Sequence, residues 1–386
     1  MALFFVDDKS HERPRSGALP AMTVPPFRAD HVGSLLRPTA LRQAFRDHAA
    51  GRIGDAAFDA IQNAAIRDAI TLQENVGLQV VNDGEFRRGS YWGRFVERLQ
   101  GLAIGPARFR FRDDSGAESD FTAPIAESLL RRTVPLAADE VAFVTPLTAR
   151  PVKVTMPAPS TLHFYAGRGF ARPGLYPDLD AYFAELTAIY RAEIADIARA
   201  GGRYIQFDEV ALAMLCDPQV RELVQSDGLD PTRLVELYVE ALNGAIEGAP
   251  PGVVFAVHMC RGNFKGRYLS SGGYDDVAEQ LFQRAGVSHF LLEYDTPRAG
   301  GFSPLRHLPR DKGVVLGLVS SKVPALEPVD ALRRRIDEAS RHVDVGRLGI
   351  SPQCGFASTA AGNPLSEADM RAKLARCVEV ANIVWG

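Results

Sequence analysis

The regular alternation of short apolar runs with helical patterns is the feature that most restricts the fold of this 386-residue chain. Eight runs have the length and composition of buried strands, at residues 28–32, 79–83, 152–156, 204–207, 253–258, 289–293, 314–319 and 348–350. Helical patterns cover residues 55–76, 179–200, 231–247, 274–285, 328–343 and 366–384. Asp55 and Ser366 are expected N-caps, and Gly77 and Gly201 are expected to follow helix ends. Eight strand-then-helix units predict an α/β protein built as a (β/α)8 TIM barrel, with its functional site at the carboxyl ends of the strands.

One segment interrupts this alternation and sets the expected domain organisation. Residues 102–150 contain the strand-like sequence Ala-Arg-Phe-Arg-Phe-Arg, so we expect a strand-containing excursion between strands 2 and 3. Residues 27–386 would then form a single domain. Residues 1–26 lack the long apolar core of a signal peptide and are predicted to be a disordered leader, in which Met22 is an alternative start to Met1.

Composition and charge exclude two classes of partner. The net charge is −3, and the 44 basic and 47 acidic residues are interspersed, so no nucleic-acid surface is predicted. No stretch approaches the roughly 18 apolar residues that span a bilayer, so no membrane partner is predicted. The four cysteines are too widely spaced to suggest a disulfide framework, which favours a cytoplasmic location. Nothing in the sequence indicates an oligomeric state.

Residues with metal-binding chemistry follow several of the predicted strands. His258 and Cys260, in the sequence Val-His-Met-Cys-Arg-Gly-Asn-Phe, are two positions apart and would project to the same side of a strand end. Such a pair taken alone is more often a buried histidine and a small buried thiol. Glu293 and Cys354, however, come at the ends of strands 6 and 8. Two thiols, an imidazole and a carboxylate at one rim are a donor set that zinc prefers.

Other polar residues also come directly after strands. They are Gly33-Ser34, Asp83-Gly84-Glu85, Asp208-Glu209, Glu293-Tyr294-Asp295 and Ser320-Ser321-Lys322. An acidic residue at such a position can be the N-cap of the next helix, and this alternative is as good as a functional role for Asp295. For the set as a whole, convergence on one rim favours a functional site.

These motifs together identify a resemblance to a known family. The sequences HMCRGNF, FLLEYD and SPQCGF, preceded by HVGSLLRP, NDGEF and YIQFDEVAL, resemble the C-terminal catalytic barrel of cobalamin-independent methionine synthase and its short single-barrel relatives, within the superfamily that also contains uroporphyrinogen decarboxylase. The resemblance covers residues 27–386 and implies a zinc-dependent methyl transfer to homocysteine. It implies zinc ligation by four residues: His258, Cys260, Glu293 and Cys354.

The resemblance also implies how the thiol substrate is held. The homocysteine amine would lie against Glu85 and Asp208, and its carboxylate side along Gly33 and Ser34. No catalytic acid or base is identified, and His31 and Lys322 remain candidates for one.

The chain departs from the family pattern where the methyl donor would bind. Met214 stands where the family has a pterin-binding glutamate, and His163 corresponds to a tryptophan near the folate. The loop that begins at Val319 lacks the family's catalytic histidine. The chain also has no second, N-terminal barrel. The alkyl donor is therefore left open between a folate and a methylcorrinoid, and the natural thiol acceptor is not fixed by the sequence.

Three alternatives remain beside methyl transfer to homocysteine. An epoxyalkane–coenzyme M transferase has similar zinc ligands but acts on a thiol without an amine. Basic residues near the site, namely Arg87, Arg88, Arg261 and Lys322, could serve a sulfonate, a carboxylate or a polyglutamate, and a place on the solvated rim is an equally good alternative. A non-catalytic, zinc-stabilised barrel or a homocysteine-binding regulator belongs to another class, and convergence of unligated acids on the rim argues against both. Zinc-dependent hydrolysis is disfavoured because thiolate ligands make the metal a weaker Lewis acid.

Overall fold

The computed structural model describes residues 25–386. Most of the predicted leader, residues 1–24, lies outside the described residues, so its disorder stays a prediction. Pro25 and Pro26 are described and buried. No helix among residues 25–386 combines the length and the apolar character that crossing a bilayer requires.

The central element is a six-stranded parallel sheet with the strand order β10-β9-β8-β7-β6-β5. The ten strands of the described chain are β1 (Leu99–Pro106), β2 (Phe111–Arg112), β3 (Glu118–Ser119), β4 (Thr122–Arg132), β5 (Lys153–Pro157), β6 (Tyr204–Asp208), β7 (Val254–Met259), β8 (His289–Glu293), β9 (Gly313–Val319) and β10 (Leu348–Pro352). With one exception, at the first residue of β7, every residue of the six parallel strands is buried. Their near-continuous apolar runs are typical of parallel strands covered on both faces.

The first two predicted strands are present only as single bridges at the two edges of this sheet. Ala29 pairs with Ile350 of β10, and Val81 pairs with Val152 just before β5. Next to the second bridge, the Asn82 N–H is bonded to the side-chain oxygen of Gln73 at 3.0 Å. A helix side chain thus takes the place of a neighbouring strand. The other six predicted strands are present as strands.

Twelve α-helices occur within the described residues, and the longer ones pack outside the sheet. They are α1 (Thr39–Ala49), α2 (Asp55–Asn75), α3 (Gly93–Arg98), α4 (Ala138–Val144), α5 (Thr161–Phe164), α6 (Leu179–Arg199), α7 (Ala211–Met214), α8 (Pro218–Ser226), α9 (Pro231–Ile246), α10 (Asp275–Arg284), α11 (Val329–Ser340) and α12 (Glu367–Trp385). All six predicted helices are confirmed.

The helix ends follow the predictions with one exception. Ser366 caps α12 through a reciprocal pair of hydrogen bonds with Asp369, a capping box. Gly77 and Gly201 have φ values of 93° and 98°, as residues that follow a helix end do. The prediction for Asp55 was wrong, because Gly54 is the N-cap and Asp55 is the first residue of α2. An acidic residue is favourable there as well, beside the positive end of the helix dipole.

The predicted excursion contains an antiparallel pair of strands. β1 and β4 pair between the bridge at Val81 and β5, and the short strands β2 and β3 lie in the turn between them. Glu193 of α6 anchors the return to the sheet, since its carboxylate accepts the N–H groups of Leu136, Ala137 and Ala138 at 2.7–2.9 Å. These bonds satisfy backbone donors at the start of α4. The segment that leads from β4 toward β5 is therefore held in place.

A buried polar layer lies near the amino ends of the parallel strands. Lys153, Tyr204 and His289 are the first residues of β5, β6 and β8. Lys153 Nζ is 3.0 Å from Asp30 Oδ1, and the Tyr204 hydroxyl is 2.6 Å from both Asp30 Oδ2 and His289 Nε2. The two charges are thus paired and hydrogen-bonded, as burial requires. This polar layer fills the end of the sheet opposite to the candidate site.

Candidate active site and metal centre

The carboxyl ends of the parallel strands bring the metal-binding side chains together. His258 lies near the end of β7, and Cys260 follows that strand by one residue. Cys354 comes two residues after β10. One ligand atom from each of these three residues lies within 4.8 Å of the others, and all three residues are buried. The structure therefore brings together three of the four predicted zinc ligands.

The geometry of this cluster fits zinc. The sulfur atoms of Cys260 and Cys354 are 3.5 Å apart. Two sulfurs bound at about 2.3 Å to one tetrahedral zinc ion would be about 3.8 Å apart. Nδ1 of His258 donates a hydrogen bond to the carbonyl of Leu291 at 3.2 Å, while Nε2 is buried and has no hydrogen-bond partner. A histidine ligand typically has this arrangement, with one nitrogen oriented by a carbonyl and the other left for the metal.

The two thiols have different proton affinities. The hydrogen bond between them, and next burial, raises the pKa of Cys260 well above the usual value. The same hydrogen bond, with the neighbouring His258, outweighs burial and lowers the pKa of Cys354 well below it. A metal that binds both sulfurs must displace any proton that they hold.

Glu293, the fourth predicted ligand, is not part of the compact group. Its Oε2 accepts the backbone N–H of Arg261 at 2.6 Å, and its Oε1 lies 3.5 Å from Lys322 Nζ. Burial opposes its ionisation, but the charges of Lys322 and Arg261 outweigh burial and hold the pKa of this carboxyl below its usual range. Glu293 is therefore an anion at the edge of the cluster, and its role as a ligand stays a prediction.

Two buried carboxyl groups face the same cavity as the metal cluster. Burial, and next the Glu85 carboxylate, raise the pKa of Asp208 to about 7. Glu85 Oε1 accepts a hydrogen bond from Thr155 at 2.8 Å, whereas its Oε2 is buried without a partner. Arg88 lies 3.7 Å from Glu85, but its guanidinium is bonded to Glu140 at 2.6 Å. Glu85 Oε2 is thus free to accept a donor, and a cation between the two carboxyl groups would reduce their mutual repulsion.

The backbone at Glu85 is strained. Its φ is 60°, in the left-handed region that side chains other than those of Asn and Asp rarely adopt. Glu85 N donates to Asp83 Oδ1 at 2.8 Å, which supports this tight turn. Gly33 lies directly beside the carboxylate, since an added Cβ there would be 2.8 Å from Glu85 Oε1. A larger residue at position 33 would therefore displace the Glu85 side chain.

A small cavity of about 40 Å³ opens beside the metal cluster, and we call it the thiol cavity. Six of the residues singled out from the sequence line it, namely Ser34, Glu85, Asp208, His258, Cys260 and Cys354. Gly33 contributes through its contact with Glu85, and Lys322 and Glu293 lie behind the cluster. Thiol, carboxyl and hydroxyl groups thus face one common space beside the metal cluster.

His31, a candidate catalytic residue, does not line this cavity. Its backbone N–H donates to Asp30, and its carbonyl accepts from Lys153 Nζ at 2.6 Å, which places it at the polar layer. Burial, and next the charge of Lys153, lower the pKa of His31 to about 4. The imidazole is therefore neutral and set apart from the cluster.

Several residues of the thiol cavity were not predicted from the sequence. Tyr91, Tyr165, Phe111 and Asn263 all line it, and the hydroxyls of the two tyrosines are 2.9 Å apart. Asn263 belongs to the quoted motif HMCRGNF, so its place beside Cys260 offered a signal. The other three come from the excursion and from loops far away in sequence, where no local pattern indicates where a side chain will lie.

The three positions that depart from the family pattern are buried away from the thiol cavity. Met214 and Val319 are fully buried, and neither lines this space. His163 is hydrogen-bonded to the hydroxyl of Tyr238 at 2.7 Å, and burial lowers its pKa to about 3. None of the three therefore faces the space beside the metal cluster.

Comparison with known proteins agrees with this geometry. Residues 27–382 match the family model of the catalytic domain of the cobalamin-independent synthases. The chain belongs to this family. The resemblance inferred from the motifs, to cobalamin-independent methionine synthase, is thereby confirmed.

Relatives of this chain include short chains of similar length. The uncharacterized protein YxjH of Bacillus subtilis is 37% identical, over 93% of this chain and 95% of its own. The methionine synthase of Pyrococcus abyssi is 26% identical, over 87% and 88% of the two chains. The crystal structure of a putative vitamin-B12-independent methionine synthase from Listeria monocytogenes superposes with a TM-score of 0.72 at 30% identity, over 93% and 98% of the two chains.

Proposed function

We propose that this protein is a zinc-dependent S-methyltransferase that converts homocysteine to methionine. One observation carries the proposal: a cluster of one imidazole and two thiols that fits a metal lies in the same cavity as two buried carboxyl groups, and one oxygen of these, Glu85 Oε2, has no hydrogen-bond partner. Membership of the cobalamin-independent synthase family supports methyl transfer to homocysteine. The name of the relative in Pyrococcus abyssi, methionine synthase, agrees with it.

His258, Cys260 and Cys354 would hold the zinc ion, with Glu293 as the exchangeable fourth ligand. When bound, zinc supplies the charge that keeps a coordinated substrate sulfur deprotonated and nucleophilic near neutral pH. Lys322 has a supporting role, since its ammonium group lies 3.5 Å from Glu293 and stabilises the carboxylate as an anion while no cation is bound there. The exchange of Glu293 for a substrate sulfur would leave its carboxylate with Lys322 and the Arg261 N–H as partners.

Glu85 and Asp208 would hold the homocysteine ammonium. Bound between the two carboxyl groups, the ammonium would supply the missing donor to Glu85 Oε2 and favour the ionised form of Asp208. Ser34 lies on the same wall and would face the carboxylate end of the substrate. The substrate would thus be oriented at both ends, with its sulfur directed to the metal cluster.

The carboxyl pair also argues against the coenzyme M alternative. Coenzyme M has a sulfonate and no ammonium, and no lysine or arginine lines the thiol cavity in the described part of the chain. The arginines that could have served a sulfonate have other partners: Arg87 bonds Asn63, and the Arg261 guanidinium donates to the carbonyl of Gly272. A purely structural metal site is disfavoured because the buried acids Glu85 and Asp208 line a cavity beside the cluster.

We further infer that the parallel sheet is closed into a (β/α)8 barrel over residues 27–386. The bridges at Ala29 and Val81 add one strand position to each edge of the six-stranded sheet. The two added segments lie side by side, because the Asn82 side chain donates to the Gly33 carbonyl at 3.0 Å. Closure would place all the strand-end loops around the thiol cavity. The cytoplasm suits such an enzyme, since all four cysteines are free.

The proposal is tested with purified protein loaded with zinc. Homocysteine should bind with its sulfur on the metal, which cobalt substitution would report as a new thiolate-to-metal absorption band. Methionine should then be detected by mass spectrometry when a methyl donor is supplied, with methyltetrahydrofolate and methylcobalamin as separate donors. Epoxide plus coenzyme M serves as the control reaction. Turnover of that pair, without homocysteine binding, would replace the proposal by the coenzyme M alternative.

A further inference from the structure

Two neutral side chains on neighbouring strands hold the carboxyl pair of the thiol cavity. Thr155 of β5 and Gln206 of β6 are paired in register. The Thr155 hydroxyl lies 2.8 Å from Glu85 Oε1, and Gln206 Nε2 donates to Asp208 Oδ1 at 2.7 Å. Thr155 and Gln206 are both buried, and neither lines the cavity. Each carboxyl group thus has one oxygen bonded to a neutral side chain that lies outside the cavity wall.

The direction of the hydrogen bond between Thr155 and Glu85 is fixed by Arg88. Arg88 Nη1 donates to the Thr155 hydroxyl at 2.9 Å, and Arg88 Nη2 donates to the Thr155 carbonyl at 2.8 Å. A guanidinium group has no acceptor, so the hydroxyl oxygen accepts from Arg88 and its single proton is donated to Glu85. Glu85 Oε1 is thereby occupied, whereas Oε2 has no partner. The Glu85 carboxylate therefore keeps one oxygen available for a donor on a ligand.

Arg88 acts on Glu85 through Thr155 because its guanidinium is held away from the carboxylate. Arg88 Nη1 is 3.7 Å from Glu85 Oε1, which is too far for a hydrogen bond. Glu140 of α4 accepts from Arg88 Nη2 at 2.6 Å and from Arg88 Nε at 3.2 Å. A direct bond between Arg88 and Glu85 would give the carboxylate a cation from the protein itself. A substrate ammonium would then have to displace that cation.

The backbone at Glu85 is held separately from its side chain. Arg37, which is buried, donates from Nη2 to the Glu85 carbonyl at 2.9 Å and from Nη1 to the Ala357 carbonyl at 3.1 Å. Ala357 follows Cys354 by three residues, so one guanidinium joins the loop of the carboxylate to the loop of a metal-binding cysteine. The backbone position of Glu85 therefore does not depend on Thr155, and only the orientation of its carboxylate does.

We propose that Thr155 is a positioning residue that gives the protein its selectivity for thiols with an ammonium group. The inference rests on the proposed function, since it takes the homocysteine ammonium to lie between Glu85 and Asp208. The Thr155 hydroxyl, oriented by Arg88, occupies Glu85 Oε1 and leaves Oε2 for the ammonium. Thr155 does not line the cavity, so it acts through Glu85 alone. Glu140 has the complementary role of keeping Arg88 from pairing directly with Glu85.

Thr155→Val tests this inference, because valine keeps the shape of threonine and removes the hydroxyl. In isothermal titration calorimetry of the zinc-loaded protein, homocysteine should bind roughly 3- to 10-fold more weakly to this variant than to wild type. 3-Mercaptopropionate, which lacks the amine, should bind as it does to wild type. Thr155→Ser keeps a hydroxyl and should restore the preference for homocysteine. The matched control is Thr187→Val, since the Thr187 hydroxyl is bonded within α6 to the carbonyl of Ala184 at 3.2 Å, and neither affinity should change.

Glu140→Gln is an independent test, and it decides the matter should Thr155→Val fail to retain zinc. The amide N–H₂ group repels the guanidinium and leaves Arg88 free to pair with Glu85, so homocysteine affinity should fall while that of 3-mercaptopropionate does not. Wild-type selectivity in the Thr155→Val or Glu140→Gln variant, or an equal loss of affinity for both thiols, would overturn the inference and leave the proposed function standing. A wild-type protein that binds homocysteine no more tightly than 3-mercaptopropionate would instead refute the ammonium site on which the proposed function depends.

Discussion

Asp208→Asn tests the proposed ammonium site most directly. Asp208 is buried, and its Oδ1 accepts a hydrogen bond from Gln206 Nε2 at 2.7 Å, a bond that an asparagine oxygen can keep. The substitution therefore removes the charge with little change in packing. We expect zinc content to be retained and homocysteine affinity to fall, because the ammonium loses one of its two carboxylate partners.

The size of the loss follows from the environment of Asp208. A pKa raised from 3.8 to about 7 corresponds to about 4 kcal/mol of unfavourable ionisation. A bound ammonium would offset this cost by favouring the carboxylate. A charge-assisted hydrogen bond contributes about 1.5–3 kcal/mol, which predicts a roughly 10- to 150-fold weaker binding of homocysteine.

The pH dependence of homocysteine affinity has a definite sign. Below pH 7 the free enzyme holds Asp208 mainly in its neutral form, and above pH 7 as the carboxylate that the ammonium prefers. Homocysteine affinity, divided by that of 3-mercaptopropionate, should therefore rise with pH up to about 7 and then level off. The ratio cancels the proton that both thiols lose on binding the metal. In Asp208→Asn this rise should be absent.

Isothermal titration calorimetry of both thiols, against wild type and Asp208→Asn, measures these effects. 3-Mercaptopropionate lacks the amine, so its affinity should hardly change. An equal loss for both thiols, with zinc retained, would refute the ammonium site and revive the coenzyme M alternative. Glu85→Gln is the companion variant should Asp208→Asn fail to retain zinc, and it should show the same selectivity for the amine.

Three further outcomes are expected. By elemental analysis, the protein should hold about one zinc per chain. Cys260→Ser combined with Cys354→Ser should abolish zinc binding, whereas Cys216→Ser and Cys377→Ser should not. Zinc bound to the Cys260→Ser/Cys354→Ser variant would refute the assignment of these two cysteines as ligands. Methyltetrahydrofolate should be a poor methyl donor in steady-state assays, and a rate constant within the ordinary range of about 1–10³ s⁻¹ would contradict this. Ser366→Ala should lower the free energy of unfolding by about 1 kcal/mol in urea titrations, because it removes the capping box of α12; an unchanged midpoint would show that the box adds nothing.

The sequence predicted the site best where a local pattern determines the side to which a side chain projects. His258 and Cys260 were expected on one side of a strand end because side chains alternate along a strand. The rule that parallel strands carry sites at their carboxyl ends then added Cys354, about 90 residues away. Short apolar runs rich in β-branched residues likewise identified the six strands of the parallel sheet.

The sequence was least informative where distant segments meet. Phe111 reaches the thiol cavity because β1 and β4 pair and hold the segment between them over this cavity. No local sequence pattern predicts that contact between distant segments. Beside the bridge at Val81, the Gln73 side chain accepts the Asn82 N–H, a contact that no strand pattern predicts. Glu293 was predicted as a ligand from its strand end, yet the position of its carboxylate depends on Lys322.

The left-handed backbone at Glu85 has an evolutionary consequence. A non-glycine residue in this conformation costs on the order of 1–2 kcal/mol, which glycine would recover. A library of variants selected only for thermal stability should therefore drift toward glycine or asparagine at position 85 and lose its preference for amino-acid thiols. Selection for growth on homocysteine should hold the glutamate in place. Divergence between the two selected populations at this one position would measure how much folding stability the enzyme gives up to recognise its substrate.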